Sequence, residues 1–387
     1  MQAIQGSAAT PGGRLRQLLD DGELIIAPGI FDGITAHLVR LMGFRAGYLT
    51  GAGIAASGFG LPDLGLVGMA EMADRVALAS RVLGAVPLIA DADTGYGPPM
   101  SVARTVRAYE QAGVAAIQLE DQAFPKRCGH LPGKELVSTQ ESLARLGAAL
   151  DARTDALIIA RTDARAVLGL DAAIERGNAY AAAGADIIFV EAPRTLEEIE
   201  VIAREISAPK LINIVAGGLT PQIEPAALQE LGYAIAIYPT TALLAATDAA
   251  ASALRGIGGS DAVPAKAATM EDFFRLVGLD EWFAVSERWD ARQAPRLAAP
   301  ILASAAAEEH RVHDQDKCDE GEQAVDHDDR AREVAFRRDG DHRARHRGGS
   351  GVGAVHADPA HGHDRAEHDD DAQDGDGGPG KRVVVGY

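Results

Sequence analysis

The sequence predicts an α/β fold, a parallel (β/α)8 barrel of the TIM-barrel class, on three observations. Eight short apolar runs, rich in β-branched residues, recur at intervals of about 23 to 42 residues. Nearly all are continuous rather than alternating, which is the pattern of strands buried on both faces. The segments between them carry helical periodicity, and polar residues follow the runs at corresponding ends. An open doubly wound sheet shares this alternation, but eight strand and helix units within some 250 residues fit a closed barrel better.

Taken in order, Leu24 to Ala27 and Gly47 to Thr50 are the first two predicted strands, and Pro87 to Ala90 is the third. A helix is expected over Met100 to Ala112, where apolar residues recur at helical spacing. Ala115 to Leu119 and Ala156 to Ala160 follow as strands four and five, with a helix over Asp171 to Ala183. Asp186 to Val190, a helix over Leu196 to Ile206, and the strands Lys210 to Ile214 and Tyr233 to Tyr238 complete the set.

The composition changes near residue 300, so residues 1–300 read as the catalytic barrel and 301–387 as a low-complexity tail. Nine of the eleven histidines fall in the tail, among Asp, Arg, Gly and Ala with few apolar residues, so it cannot bury enough surface to offset its ordering entropy and reads as disordered. Loose metal chelation by its His and Asp residues lacks a recurring ligand spacing. Out-of-frame translation of a GC-rich gene is a further origin for such a composition.

The whole chain of 387 residues carries a net charge of −19, a field that repels phosphate backbones and anionic membrane surfaces, so no nucleic-acid or membrane partner is expected. Cys128 and Cys318, about 190 residues apart, form no disulfide framework, and a reducing compartment is the simplest reading. No apolar stretch reaches bilayer-spanning length, nor does the start resemble a secretory signal, so the sequence reads as cytoplasmic.

The chemistry gathers at the strand ends. Asp91 and Asp93 follow the third strand, Glu120 and Asp121 the fourth, Arg161, Thr162 and Asp163 the fifth and Glu191 the sixth, while Asn213 lies in the seventh. In a barrel these positions share the C-terminal mouth, where active sites of this fold sit. Taken singly, each suits a helix cap or a strand end equally well. Asp91-Ala92-Asp93 places two hard carboxylates where both can lean toward one cation, with Mg²⁺ or Mn²⁺ the expected species. In Phe124-Pro125-Lys126-Arg127-Cys128-Gly129-His130 two cations and a histidine flank a thiol, an environment expected to lower its pKa and suit it to acid or nucleophilic work. No Cys-x-x-Cys, zinc spacing or phosphate-cradling Gly-x-x-x-x-Gly-Lys loop occurs.

Seven segments, in order over roughly residues 14 to 290, resemble the isocitrate lyase and phosphoenolpyruvate mutase superfamily. They are Gly-Tyr-Leu-Thr-Gly-Ala-Gly (47–53), Gly-Leu-Pro-Asp-Leu-Gly (60–65), Asp-Ala-Asp-Thr-Gly-Tyr-Gly (91–97), Leu-Glu-Asp-Gln (119–122), Lys-Arg-Cys-Gly-His (126–130), Ala-Arg-Thr-Asp-Ala (160–164) and Val-Glu-Ala-Pro (190–193). The resemblance implies a barrel whose last helix is exchanged between subunits of a homodimer or homotetramer, with Met270 to Trp289 as that helix. It implies Mg²⁺ held by Asp91 and Asp93, largely through water, with Asp63, Glu120 and Asp121 in support. Tyr48, Thr50, Gly51 and Ala52 correspond to a carboxylate-binding loop, and Arg161 to the cation facing the metal-bound carboxylate. Glu191 and Asn213 complete the mouth. Lys126 to His130, with Gly129, corresponds to a gate that brings Cys128 to the reacting carbon, and Tyr48 is a candidate base by position alone.

The activity implied is Mg²⁺-dependent cleavage of a small branched 2-hydroxy di- or tricarboxylate, of the methylisocitrate or dimethylmalate kind, to a 2-oxo acid such as pyruvate. A phosphonomutase of the carboxyphosphonoenolpyruvate type shares the same motifs, and oxaloacetate decarboxylation is a further alternative. Asn213-Ile214-Val215-Ala216-Gly217-Gly218 differs from the Asn-Ile-Thr-Glu-Phe-Gly of methylisocitrate lyases and the Asn-Met-Val-Glu-Gly-Gly of dimethylmalate lyases and the mutases. Ala216 therefore stands where the superfamily pattern carries a glutamate, and is expected to alter which substrate group the wall can pair.

Overall fold

In the computed structural model, which describes residues 9–260 and 269–289, eight parallel strands close into a barrel in sequence order. They are β1 (Ile25–Ile30), β2 (Gly47–Leu49), β3 (Leu88–Asp91), β4 (Ala116–Glu120), β5 (Leu157–Thr162), β6 (Ile187–Val190), β7 (Lys210–Asn213) and β8 (Ile235–Tyr238). Closure comes from β1 and β8, which pair in register from Ile25 with Ile235 to Pro28 with Tyr238. Each strand lies within a residue or three of its predicted run. The largest difference is β1, which runs past Pro28 to Ile30 because Gly29 and Ile30 pair with Tyr48 and Leu49 of β2, a tertiary contact that local breaker residues do not reveal.

The continuous apolar runs follow from a two-sided burial. Ile187 and Phe189 of β6 point into the barrel, with Ile25, Tyr48, Ile89, Ile159 and Ile237. Ile188 and Val190 face the helical layer, so every residue of that strand is buried and no polar alternation survives.

Before the first strand, α1 (Pro11–Asp20) closes the N-terminal end of the barrel by inserting Leu15, and Asp155 pins it by accepting from Thr10 Oγ1 and Gly12 N at 2.6 and 2.7 Å. The outer layer comprises α2 (Gly33–Leu41), α3 (Gly51–Phe59), α4 (Met69–Leu83), α5 (Pro99–Gln111), α6 (Thr139–Ala152), α7 (Ala164–Val167), α8 (Leu170–Ala183), α9 (Leu196–Glu205), α10 (Pro225–Glu230) and α11 (Thr241–Gly256). The three helices predicted from periodicity correspond to α5, α8 and α9. No helix among the described residues is long and apolar enough to cross a membrane.

Met270 to Trp289 is expected as one helix, but the structure divides it. Helix α12 (Met270–Arg275) ends in a turn where Gly278 takes φ +83°, and residues 279–289 are again helical. Met270, Phe273, Phe274 and Leu279 enter the core of the same chain's barrel. The tail from residue 301 lies outside the described residues.

Because Phe274 is fully buried, Phe274→Ala should cost about 3–5 kcal/mol of unfolding free energy, read from urea denaturation. A cost below about 1 kcal/mol would show that α12 is not part of the barrel's core.

Candidate active site

Parallel closure places every strand's C-terminal end on one rim, and the side chains there wall a recess. Tyr48 comes from β2, Thr50 and Ala52 from the start of α3, Asp91 from β3, Arg161 from β5, Glu191 from the residue after β6 and Asn213 from β7. Asp63, Cys128, Gly129 and His130 reach it from loops. Gly51, Asp93, Glu120 and Lys126 stand immediately behind this lining, bonded or packed against its members. Val215, Pro239, Thr240 and Met270 also line the recess; no local pattern marks which of a segment's residues will face a cavity.

Two expected residues lie elsewhere. Asp121 turns away from the mouth and accepts hydrogen bonds from Thr162 Oγ1 (2.7 Å), Asp163 N (2.9 Å), Arg176 (3.0 Å) and Tyr180 (2.9 Å), so it braces the rim from beneath. Ala216 is exposed and does not line the recess; its neighbour Val215 does. The wall expected at Ala216 is therefore apolar and built one residue earlier, because the chain leaves the rim after β7 with Val215 pointing inward.

Buried charges are matched across the rim. Lys126 lies between the carboxylates of Asp63 and Asp93, the latter at 2.7 Å. Arg161 is gripped by Asp163 through Nε (3.0 Å) and Nη2 (3.1 Å), and its Nη1 lies 3.2 Å from Glu120 Oε2. Lys134, which no local sequence pattern marks, lies 3.0 Å from Asp163. Burial would push the Asp163 carboxyl up, but the Arg161 and Lys134 charges hold it far below the usual carboxylate range. Burial raises Asp93 to about 7 against the opposing charge of Lys126, with Asp91 and Asp63 adding to the rise. Lys126 stays cationic, since its carboxylate neighbours overcome its desolvation.

The carboxylate set fits a hard divalent cation. Glu120 Oε1 is buried without a hydrogen-bond partner, and Asp91, Asp93 and Asp63 supply further oxygen donors nearby. Among the described residues no three His, Cys, Asp or Glu side chains form a ready cage.

A loop over residues 123–135 covers the recess. Its stems are joined by the Gln122–Leu136 bridge and by Ala123 N donating to Glu135 O at 2.8 Å. Gln122 braces Arg127 N and O at 2.9 Å each, and Cys128 N donates to Asp63 O at 3.1 Å. A Cβ on Gly129 would lie 2.6 Å from Arg161 Nη2 and from Glu191, so only glycine lets the loop come down this far. His130 Nδ1 accepts from Leu219 N at 3.1 Å while Nε2 lies 3.3 Å from Glu191 Oε1. Burial holds the imidazole below its ordinary pKa despite Glu191, so the neutral ring carries its proton on Nε2, facing that carboxylate.

The expected activation of Cys128 is corrected by its surroundings. Burial and then the Asp63 charge push the thiol up to about 12. Lys126 and a backbone hydrogen bond at His130 offset only part of this, since Lys126 is directed into its carboxylates, and Arg127 turns outward to Pro132 O and the ring of Phe283, 5.1 Å from its centroid. Cys128 is thus a proton-bearing thiol rather than a thiolate nucleophile. Tyr48 is buried, donates to Gln118 Oε1 at 3.0 Å and has a pKa raised well above 10 by burial and then Asp91. Gln118, which in turn donates to Asp91 Oδ1 at 3.3 Å, was legible only as a polar residue inside an apolar strand.

A family profile described as phosphoenolpyruvate phosphomutase matches residues 15–258. The chain is 46% identical over 273 residues to the 2,3-dimethylmalate lyase of Eubacterium barkeri, covering 69% of this chain and 94% of the relative. It is 44% identical over 296 residues to a 2-methylisocitrate lyase of Aeropyrum pernix, covering 76% and 94%. A solved structure of oxaloacetate acetylhydrolase with the inhibitor 3,3-difluorooxalacetate superposes with a TM-score of 0.62 at 36% identity, covering 73% of this chain and 97% of that one. The chain belongs to the phosphoenolpyruvate phosphomutase family, and is an enzyme of the wider superfamily of phosphoenolpyruvate mutases and isocitrate lyases.

The raised Cys128 pKa has a direct readout. In a Cys318→Ser background without divalent metal, alkylation of Cys128 should keep rising about tenfold per pH unit beyond pH 9, because the thiolate fraction grows until the folded-state pKa is reached. A plateau near pH 9 would contradict the protonated thiol.

Proposed function

We propose that this member of the family is a Mg²⁺-dependent carbon–carbon lyase, acting in the cytoplasm on a small branched 2-hydroxy di- or tricarboxylate of the 2-methylisocitrate or 2,3-dimethylmalate kind. The products are a 2-oxo acid such as pyruvate and a second carboxylate. The barrel is the catalytic unit. The observation that carries this reading is the Cys128 thiol, held protonated at the wall of the recess. In cleavage of a 2-hydroxy acid the hydroxyl proton passes to a base and the carbon–carbon bond breaks to a 2-oxo acid. The bonding electrons remain as a carbanion beside a carboxylate, which a positioned acid must protonate, whereas transfer of a phosphoryl group to carbon has no such need.

The chain's own groups fit that sequence of events. Arg161, fixed by Asp163, offers a guanidinium for the 2-oxo acid carboxylate. Tyr48, Thr50 and the N–H groups of Gly51 and Ala52 in the first turn of α3 suit a second carboxylate, since that turn lacks intrahelical acceptors for them. Glu191 and Asn213, bonded to each other at 3.3 and 3.4 Å, pair the remaining polar groups beneath Gly129 and His130. Val215, Pro239 and Met270 provide an apolar face for methyl branches. Asp91 and Asp93, backed by Asp63 and Glu120, would hold Mg²⁺ or Mn²⁺, which supplies fixed positive charge against the developing oxyanion. Lys126 opposes the rise of Asp93 and ties the loop to Asp63 and Asp93. Loop closure excludes water, so Cys128 delivers the proton to the released carbanion.

As the assembled form we propose a homodimer or homotetramer. Ile34, Leu38, Leu41 and Met42 form an exposed apolar stripe at helical spacing on and just past α2, which supports a subunit contact.

Purified protein should release a 2-oxo acid from 2-methylisocitrate or 2,3-dimethylmalate with Mg²⁺ and lose this in EDTA. Cys128→Ala should lower kcat by about 10²–10⁴-fold and leave KM within a few-fold. Release that survives Cys128→Ala would remove the assigned acid, and phosphonate signals in phosphorus NMR without lyase turnover would replace the reaction. Sedimentation velocity should give a dimer or tetramer mass, and a monomer would remove the assembly.

A further inference from the structure

Lys134 stands on the returning stem of the 123–135 loop, where a lysine ordinarily extends into solvent. Instead its side chain is 2% exposed and turned under the loop. Its Nζ donates to the carbonyl of Gly129, the residue after Cys128, and lies 3.0 Å from Asp163 Oδ1. That same oxygen accepts from Arg161 Nη2 at 3.1 Å, while Oδ2 accepts from Arg161 Nε at 3.0 Å. The Asp163 backbone is itself fixed, since its N–H donates to Asp121 at 2.9 Å. One ammonium therefore touches both the covering loop, beside its thiol, and the carboxylate that aims Arg161.

We propose that Lys134 is a positioning residue that latches the loop over the recess and ties closure to the orientation of Arg161. A buried ammonium requires its partners. With the loop down, Lys134 has the Gly129 carbonyl and Asp163. When the Cys128–Gly129 tip lifts away from the stem that the Ala123 N to Glu135 O bond holds, the carbonyl departs and Lys134 keeps only Asp163, so closure completes the charge's surroundings. Loss of Lys134 has the reverse effect on Arg161. Glu120 at 3.2 Å and Glu191 at 3.7 Å are alternative acceptors for the guanidinium, and an Asp163 no longer neutralised by Lys134 regains freedom to shift. The proposal rests on the reading of this recess as the active site, but its primary test needs no substrate.

In a Cys318→Ser background Cys128 is the sole thiol, and its alkylation by iodoacetamide at fixed pH reports how often the loop opens. Lys134→Met should raise that rate at least about tenfold, the scale of a lost charged hydrogen bond, and Lys134→Arg should return it toward the parent value. An unchanged rate in folded Lys134→Met overturns the latch. Should Lys134→Met not fold, Lys134→Gln, which keeps a donor but no charge, is read against the same threshold.

The tie to Arg161 is read separately as KM for the cleaved acid. Lys134→Met and Asp163→Asn should each raise it, and the double variant should exceed the worse single variant by less than the product of the two effects. Multiplying effects overturn the coupling. Lys134-dependent labelling in a protein without lyase turnover would remove the proposed reaction and leave the latch standing.

Discussion

The organising constraint of this protein is the compensation of charge buried at the barrel mouth. Lys126, Lys134 and Arg161 face Asp63, Asp93, Asp163, Glu120 and Glu191, and all eight side chains are largely or wholly removed from solvent. Removing either side of such a set would leave charge without compensation, at a cost far above that of a surface ion pair. The covering loop, the rim of β5 and the loop carrying Asp63 are therefore positioned by one another. Their shared cations bind them more specifically than apolar contact alone would.

The same constraint explains the chemistry of the thiol. Cys128 has Lys126 and Arg127 as near neighbours in the chain, yet Lys126 lowers its pKa only in part and Arg127 turns away, because each is drawn to a better partner. What surrounds the sulfur is low-dielectric protein and the Asp63 carboxylate, and both favour the neutral form. An acid that must keep its proton until a carbanion appears beside it is served by that environment. A nucleophile would not be.

Backbone strain has collected at the same rim. The non-glycine residues of positive φ among the described residues are Asp93 (+47°), Tyr96 (+60°) and Ala192 (+55°), all just past β3 or β6. The rigid layers beneath can hold such conformations. Asp121 collects four donors from β5, α8 and the peptide after Thr162, and Tyr109 of α5 donates to the Asp91 carbonyl at 3.2 Å while meeting the Tyr96 hydroxyl at 3.1 Å. The polar network behind the mouth thus fixes the ends of strands whose apolar residues set their direction.

The strands were legible because burial on both faces writes continuous apolar runs, and the rim residues because a parallel barrel brings all strand ends to one side. Asp91, Arg161, Glu191 and Asn213 could be placed together on that argument alone. Lys134, Thr240 and Met270 could not, since each reaches the site through a fold-back or a neighbouring element with no local pattern to mark it. Asp121 and Ala216 were misplaced for the complementary reason, as adjacency to a rim residue does not fix which way a side chain turns. The sequence by itself determined which groups are available at the mouth. Only the tertiary structure decided which cation meets which carboxylate, and hence the protonation of Cys128, because electrostatic interaction in a buried site depends on distance and solvent exclusion and not on separation along the chain.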